Sequence, residues 1–139
     1  MFELDPAFPA TSEALPGLAL CEARLQLDAR FPWIVLIPRV DRAFELEDLS
    51  VEERAMLIAE IVTAGEAVRA VGAALGRPVE KLNVGQLGNV TRQLHVHVVG
   101  RRADDPCWPG PVWGQSEAAA YEREALEVAL AAAANALTA

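Results

Sequence analysis

The chain has 139 residues, with 12 Lys and Arg against 20 Asp and Glu for a net charge of −8 at pH 7. That length suits one compact domain burying roughly two-thirds of its unfolded surface, and the acidic balance opposes adhesion to nucleic acid polymers or to an anionic membrane. Cys21 and Cys107 are too few for a disulfide framework and no apolar run reaches the roughly 18 residues that span a bilayer.

Met1-Phe-Glu-Leu-Asp5 lacks the basic and apolar regions of a signal peptide, so a reducing cytoplasm is the expected compartment. Residues 18–27, Leu-Ala-Leu-Cys-Glu-Ala-Arg-Leu-Gln-Leu, alternate well enough for a strand. After the break at Phe31-Pro32, Trp33-Ile-Val-Leu-Ile is apolar on both faces, which predicts a central strand ending at Pro38 and antiparallel to the first. Ser50-Val-Glu-Glu53 is a capping-box pattern that opens a long helix over about residues 50–76. Its apolar positions Leu57, Ile61, Ala64, Val68, Val71 and Leu75 recur in steps of four and three up to Gly76 and Pro78, so one face is expected to be buried. Residues 81–87 read as a third strand, Gly88-Asn89 as a turn and residues 93–101 as a further strand. A loop rich in Trp, Pro and Gly at residues 106–114 leads to an Ala-rich helix over about residues 116–137. Nothing repeats and no segment is long enough to link domains, so residues 1–139 are expected to form a single α+β domain around an antiparallel sheet of about five strands.

Residues 93–99, Gln-Leu-His-Val-His-Val-Val, hold both histidines of the chain. On a strand, side chains two apart leave the same face about 7 Å apart. Gln93, His95 and His97 are thus expected on one surface and Leu94, Val96 and Val98 on the other, where burial would make the platform rigid. Read from the residues alone, three outcomes stay open. The histidines are hydrogen-bonded or solvated without a chemical role, or they begin a zinc site completed by Cys107, Asp104 or Asp105, or they catalyse a reaction at phosphorus. In the third case one neutral imidazole attacks while its neighbour supplies a proton or a hydrogen bond, since the ring titrates near about pH 6.5. Arg92, Arg101 and Arg102 flank the strand, either as phosphate donors or as ordinary solvated side chains, and a local Arg cluster can outweigh the global charge within a Debye length of about 8 Å.

These residues resemble the histidine triad (HIT) superfamily of nucleotide hydrolases and transferases, whose signature is His-φ-His-φ-His-φ-φ with φ apolar. Residues 93–99 match six of the seven positions, with Gln93 standing for the first histidine. Ile37-Pro38-Arg39 at the strand end, Asp48-Leu49-Ser50 before the helix, Asn83 in the third strand and Gly100-Arg101 after the motif support the match. Trp108-Pro109-Gly110 is similar to the Trp/Pro loop of the Hint branch. The Gln-x-His-x-His form followed by Trp-Pro-Gly-Pro-Val-Trp is closest to a bacterial HIT-like group of diadenosine tetraphosphate hydrolase type.

The resemblance covers about residues 18–113 and implies the HIT-like fold, a homodimer joined through the long helix and a neighbouring strand, a small nucleotide substrate, and no metal or cofactor. It implies that His95 is the nucleophile that takes up a nucleoside monophosphate, that His97 assists at the leaving-group oxygen, and that Gln93, which cannot titrate, donates its amide to a phosphate oxygen. For nucleotide binding it points to Asp28 at the ribose hydroxyls, Asn89 at phosphate, Asn83 as an orienting residue and Arg92 beside the motif; Asp28 and Asn89 read equally well as turn residues. Trp108 and Trp113 either wall the site or pack the loop onto the core. The expected function is hydrolysis or transfer at the α-phosphorus of a dinucleoside polyphosphate or nucleoside phosphoramidate. A catalytically weak nucleotide sensor and a zinc-dependent hydrolase are the alternatives.

Overall fold

The computed structural model describes residues 1–115 and 117–139. Five antiparallel strands, β1 (Ser12–Ala14), β2 (Cys21–Gln26), β3 (Trp33–Pro38), β4 (Lys81–Gly85) and β5 (Val96–Arg101), form one sheet in the order β1-β2-β3-β5-β4. Helices α1 (Ala7–Thr11), α2 (Val51–Ala74) and α3 (Arg123–Thr138) complete the α+β architecture. Among the described residues no helix is long and apolar enough to cross a membrane.

The middle strand β3 is buried at every position, as a strand apolar on both faces must be. Its two faces look into two different clusters. Ile34 and Leu36, with Val96 and Val98 of β5, join the core under α2 and α3, while Trp33, Val35 and Ile37, with Val99, join a second cluster beneath Phe8 and Val112. The alternation puts the helices on one side and leaves the other for the histidines, because His97 pairs with Val35 across the sheet and shares that second face.

Helix α2 begins with the anticipated reciprocal cap: Glu53 N donates to Ser50 Oγ at 3.1 Å and Ser50 N to Glu53 Oε1 at 2.8 Å. Leu57, Ala64, Val68 and Val71 are buried on the sheet, and Gly76 at φ 75° ends the helix. From the same helix the buried Glu60 carboxylate accepts the N–H groups of Leu20 and Cys21 at 2.8 Å each. That contact explains why β2 starts at Cys21 and not at Leu18: the residues before it turn toward the helix, with Leu18 N bonded to Cys21 O.

Three more boundaries differ from expectation, one at a turn and two because a competing partner takes the backbone. β4 stops at Gly85, and the chain then turns through Gly88 at φ 89°. β5 starts at Val96 and not at Gln93, since Leu94 N bonds to Ala43 O outside the sheet. The final helix begins at Arg123, not near residue 116. Ala119 is tied across the molecule, its N–H to Asp28 Oδ1 at 3.3 Å and its carbonyl to Ala29 N at 2.8 Å, so the residues before Arg123 cannot coil. Ser116, the expected first residue of that helix, lies outside the described residues. α1 and β1, five and three residues long, carry too little periodicity to be read beforehand.

Candidate functional site

β5 begins between the two histidines, leaving His95 on the last residue of the incoming loop and His97 on the strand. Their ring centroids are 4.9 Å apart at 77°. Both line a cavity of about 300 Å³ with Leu87, Gly88, Asn89, Val90, Thr91 and Trp113. Only 6% of the His95 surface is exposed, yet the ring is part of the cavity wall and not of the hydrophobic interior.

Hydrogen bonds assign the tautomer of each ring. His95 Nδ1 lies 2.7 Å from the carbonyl of Gln93, and because a carbonyl only accepts, Nδ1 carries the proton. In the neutral ring of this tautomer Nε2 carries the lone pair, the form required of a nucleophile. His97 is the mirror case. The Trp33 indole, a donor only, gives its N–H to His97 Nδ1 at 3.0 Å, so the proton of a neutral ring sits on Nε2. Thus one ring offers a lone pair and its neighbour an N–H.

Aromatic rings frame the pair. Phe8 meets His95 edge-on at 4.9 Å, while Trp33 and Trp113 each meet His97 at 5.5 Å. Gly85 pairs with His97 in the sheet and makes room for this wall, since a Cβ there would lie 2.6 Å from Trp113 Cη2. Burial among these rings, with His95 adding to it, pulls the His97 pKa down to about 4. At neutral pH His97 is therefore a neutral hydrogen-bond donor and not an imidazolium.

This shift has a measurable cost. In the unfolded chain a histidine titrates near about 6.5, so between that value and about 4 the unfolded state holds a proton that the folded state lacks. Stability consequently rises with pH across that window and is lost on acidification, by about 3 kcal/mol in full. In urea unfolding, the midpoint of the native chain should drop between pH 7 and pH 4.5 by more than that of His97→Gln. Equal drops would show that the ring is not held neutral.

The other expected site residues are dispersed. Gln93 does not reach the cavity: its Nε2, expected to donate to phosphate, donates to Glu3 O, and its Oε1 accepts from Asp5 N. Asp28 is 2% exposed, engaged by Arg30 and Ala119 N, and does not line the cavity. Asn83 accepts from Arg101 Nη1 at 2.8 Å, and Arg92 lays its guanidinium over Phe44 at 5.3 Å. Asn89 alone of the four nucleotide-binding candidates lines the cavity. Arg101 is not a solvated side chain and does not line the cavity; it is 1% exposed and paired with Asp105, while Arg102 pairs with Asp104. Those pairings occupy two carboxylates considered for zinc, and among the described residues no three His, Cys, Asp or Glu gather closely enough to hold a metal. Trp108 packs over Arg101 at 5.7 Å and Trp113 walls the cavity. Trp33 of β3 and Phe8 of α1 join the site although no sequence pattern marks them, both packing in the cluster on the face that β3 shares with His97.

The family model described as "HIT domain" matches residues 10–104. A histidine triad protein from Sinorhizobium meliloti 1021 is 37% identical, with TM-score 0.87 over 99% of this chain and 98% of that one. Histidine triad proteins from Marinobacter aquaeolei VT8 (33% identity, TM-score 0.89, covering 99% and 97%) and Bradyrhizobium japonicum (30%, 0.90, covering 98% and 98%) are similarly alike. No curated protein matches the chain.

Proposed function

Because the chain belongs to the HIT domain family, a family with a nucleotide-binding and hydrolase fold, we propose that it hydrolyses or transfers at the α-phosphorus of a nucleoside phosphate derivative. The observation that carries this reading is the pair of complementary tautomers at the cavity, a lone pair on His95 Nε2 beside an N–H on His97 Nε2. His95 Nε2 attacks phosphorus, a P–N bond forms, and the bond from phosphorus to the leaving oxygen or nitrogen breaks with its electron pair going to that atom. His97 donates a hydrogen bond to the developing charge without itself ionising; an amine leaving group takes its proton from water. Water then attacks phosphorus, the P–N bond breaks, and the proton lost by water passes to solvent as the nucleoside monophosphate leaves. Asn89, which lines the cavity, is the residue assigned in this reading to the phosphate oxygens.

The test is mass spectrometry of protein quenched during turnover of dinucleoside polyphosphates and nucleoside phosphoramidates. A nucleotidyl adduct on His95 is expected. Monophosphate release with no adduct on any residue would sink the covalent route, and tight binding without release would favour a sensor.

A second copy of the chain is the proposed partner. β4 is a sheet edge, and Ile58 and Val62 stand 62% and 60% exposed on the stripe of α2 that continues through Gly65, which abuts Leu82 of β4. Sedimentation at micromolar concentration reads this directly, a monomer counting against it.

A further inference from the structure

Position 93 is where the chain departs from a full histidine triad, and its side chain has another task. Oε1 of Gln93 accepts from Asp5 N at 2.8 Å while Nε2 donates to Glu3 O at 2.8 Å, the donor–acceptor pair with which one strand would receive another. A primary amide presents both groups on one edge, side by side. An imidazole cannot, because its two nitrogens diverge. Immediately beyond the clamped residues α1 brings Phe8, itself 7% exposed, edge-on to the His95 ring. The main-chain carbonyl of the same Gln93 accepts the hydrogen bond that His95 Nδ1–H donates. One residue thus holds the ring from two sides, directly through its backbone and indirectly through the segment its side chain pins.

We infer that Gln93 is a positioning residue that clamps residues 3–8 against His95 and so keeps Nε2 aimed into the cavity. The inference rests on His95 being the nucleophile proposed above. Alignment of this kind acts on the chemical step and not on substrate affinity, since small misplacements of a reacting group are costly in rate.

Gln93→Leu removes both amide bonds at similar size and retains the backbone carbonyl. In this variant the Asp5 amide should exchange with solvent about 10-fold faster or more, and kcat should fall about 10-fold with KM within about two-fold. Phe8→Leu should lower kcat likewise while leaving Asp5 exchange unchanged. Release of Asp5 without loss of kcat, or loss of kcat without release, overturns the inference. If Gln93→Leu does not fold, Phe8→Leu decides alone, an unchanged kcat overturning it. If the native chain turns over no substrate, the proposed reaction fails, yet the clamp is still read from the NMR ring shifts of His95: movement in Gln93→Leu supports it and no movement overturns it.

Discussion

His95→Ala should abolish turnover, by about 10⁴-fold or more in kcat, while nucleotide binding stays within a few-fold of the native chain. The reason lies in what the ring supplies. Its Nε2 lone pair makes a bond only as phosphorus is attacked, so its loss falls on the transition state, whereas the cavity wall from Leu87 to Thr91, His97 and Trp113 remains to hold the ground state. The variant should fold, since the ring is bordered by Phe8 and His97 and faces a cavity already open on one side. Rates measured under saturating substrate, set beside an equilibrium titration with nucleoside monophosphate, separate the two effects. A variant retaining even a tenth of the native kcat would remove His95 from the role of nucleophile. His97→Gln should be milder, since an amide N–H can replace an imidazole N–H as a donor but a methyl group cannot replace a lone pair.

The parts of the molecule legible in the sequence are those set by local periodicity. β3, α2 and the second half of the histidine strand follow from runs of apolar residues with period 2 or 3.6, because each buries a face and the period decides which residues share it. His95 and His97 were legible for the same reason, two positions apart on one platform. Partners that arrive from far along the chain were not. Trp33 reaches His97 across 64 residues and Asp5 reaches Gln93 across 88, and no pattern around either residue announces the meeting. The late start of α3 is a related case: alanine favours helix throughout the tract, but Asp28, 91 residues away, captures Ala119 N. The pairing of Asp28 with Arg30 and of Asn83 with Arg101 likewise carried no signal in the sequence.

Asp105→Ala should cost about 3–5 kcal/mol in urea unfolding, a loss expected when one member of a buried ion pair is removed. The pair is 1% and 2% exposed at its side chains, with Arg101 Nε and Nη2 on the two carboxylate oxygens at 2.8 and 3.0 Å. Removing the carboxylate leaves a guanidinium between Phe31 and Trp108 with, among the described residues, Asn83 alone to accept from it, and frees the loop N–H groups of Arg102 and Cys107 that Asp105 also holds. Burial alone would raise the Asp105 pKa; the hydrogen bonds from Arg101 and from those two backbone groups outweigh it and hold the carboxyl below its ordinary range. A depressed folded pKa means that this stability is fully present above the ordinary carboxylate pKa and is lost only as pH falls through the folded value, below the window in which His97 acts. The stability of the native chain should accordingly fall in two pH windows, the loss in the lower reduced by Asp105→Ala and that in the upper by His97→Gln. Arg101→Met combined with Asp105→Leu should be less damaged than either single charge removal, because no buried charge is then left alone, and additive losses would show that the pair is not coupled. The same pair ties the end of β5 to the loop that carries Trp113 over His97, so Asp105→Ala should also loosen the cavity wall, raising KM as it lowers stability.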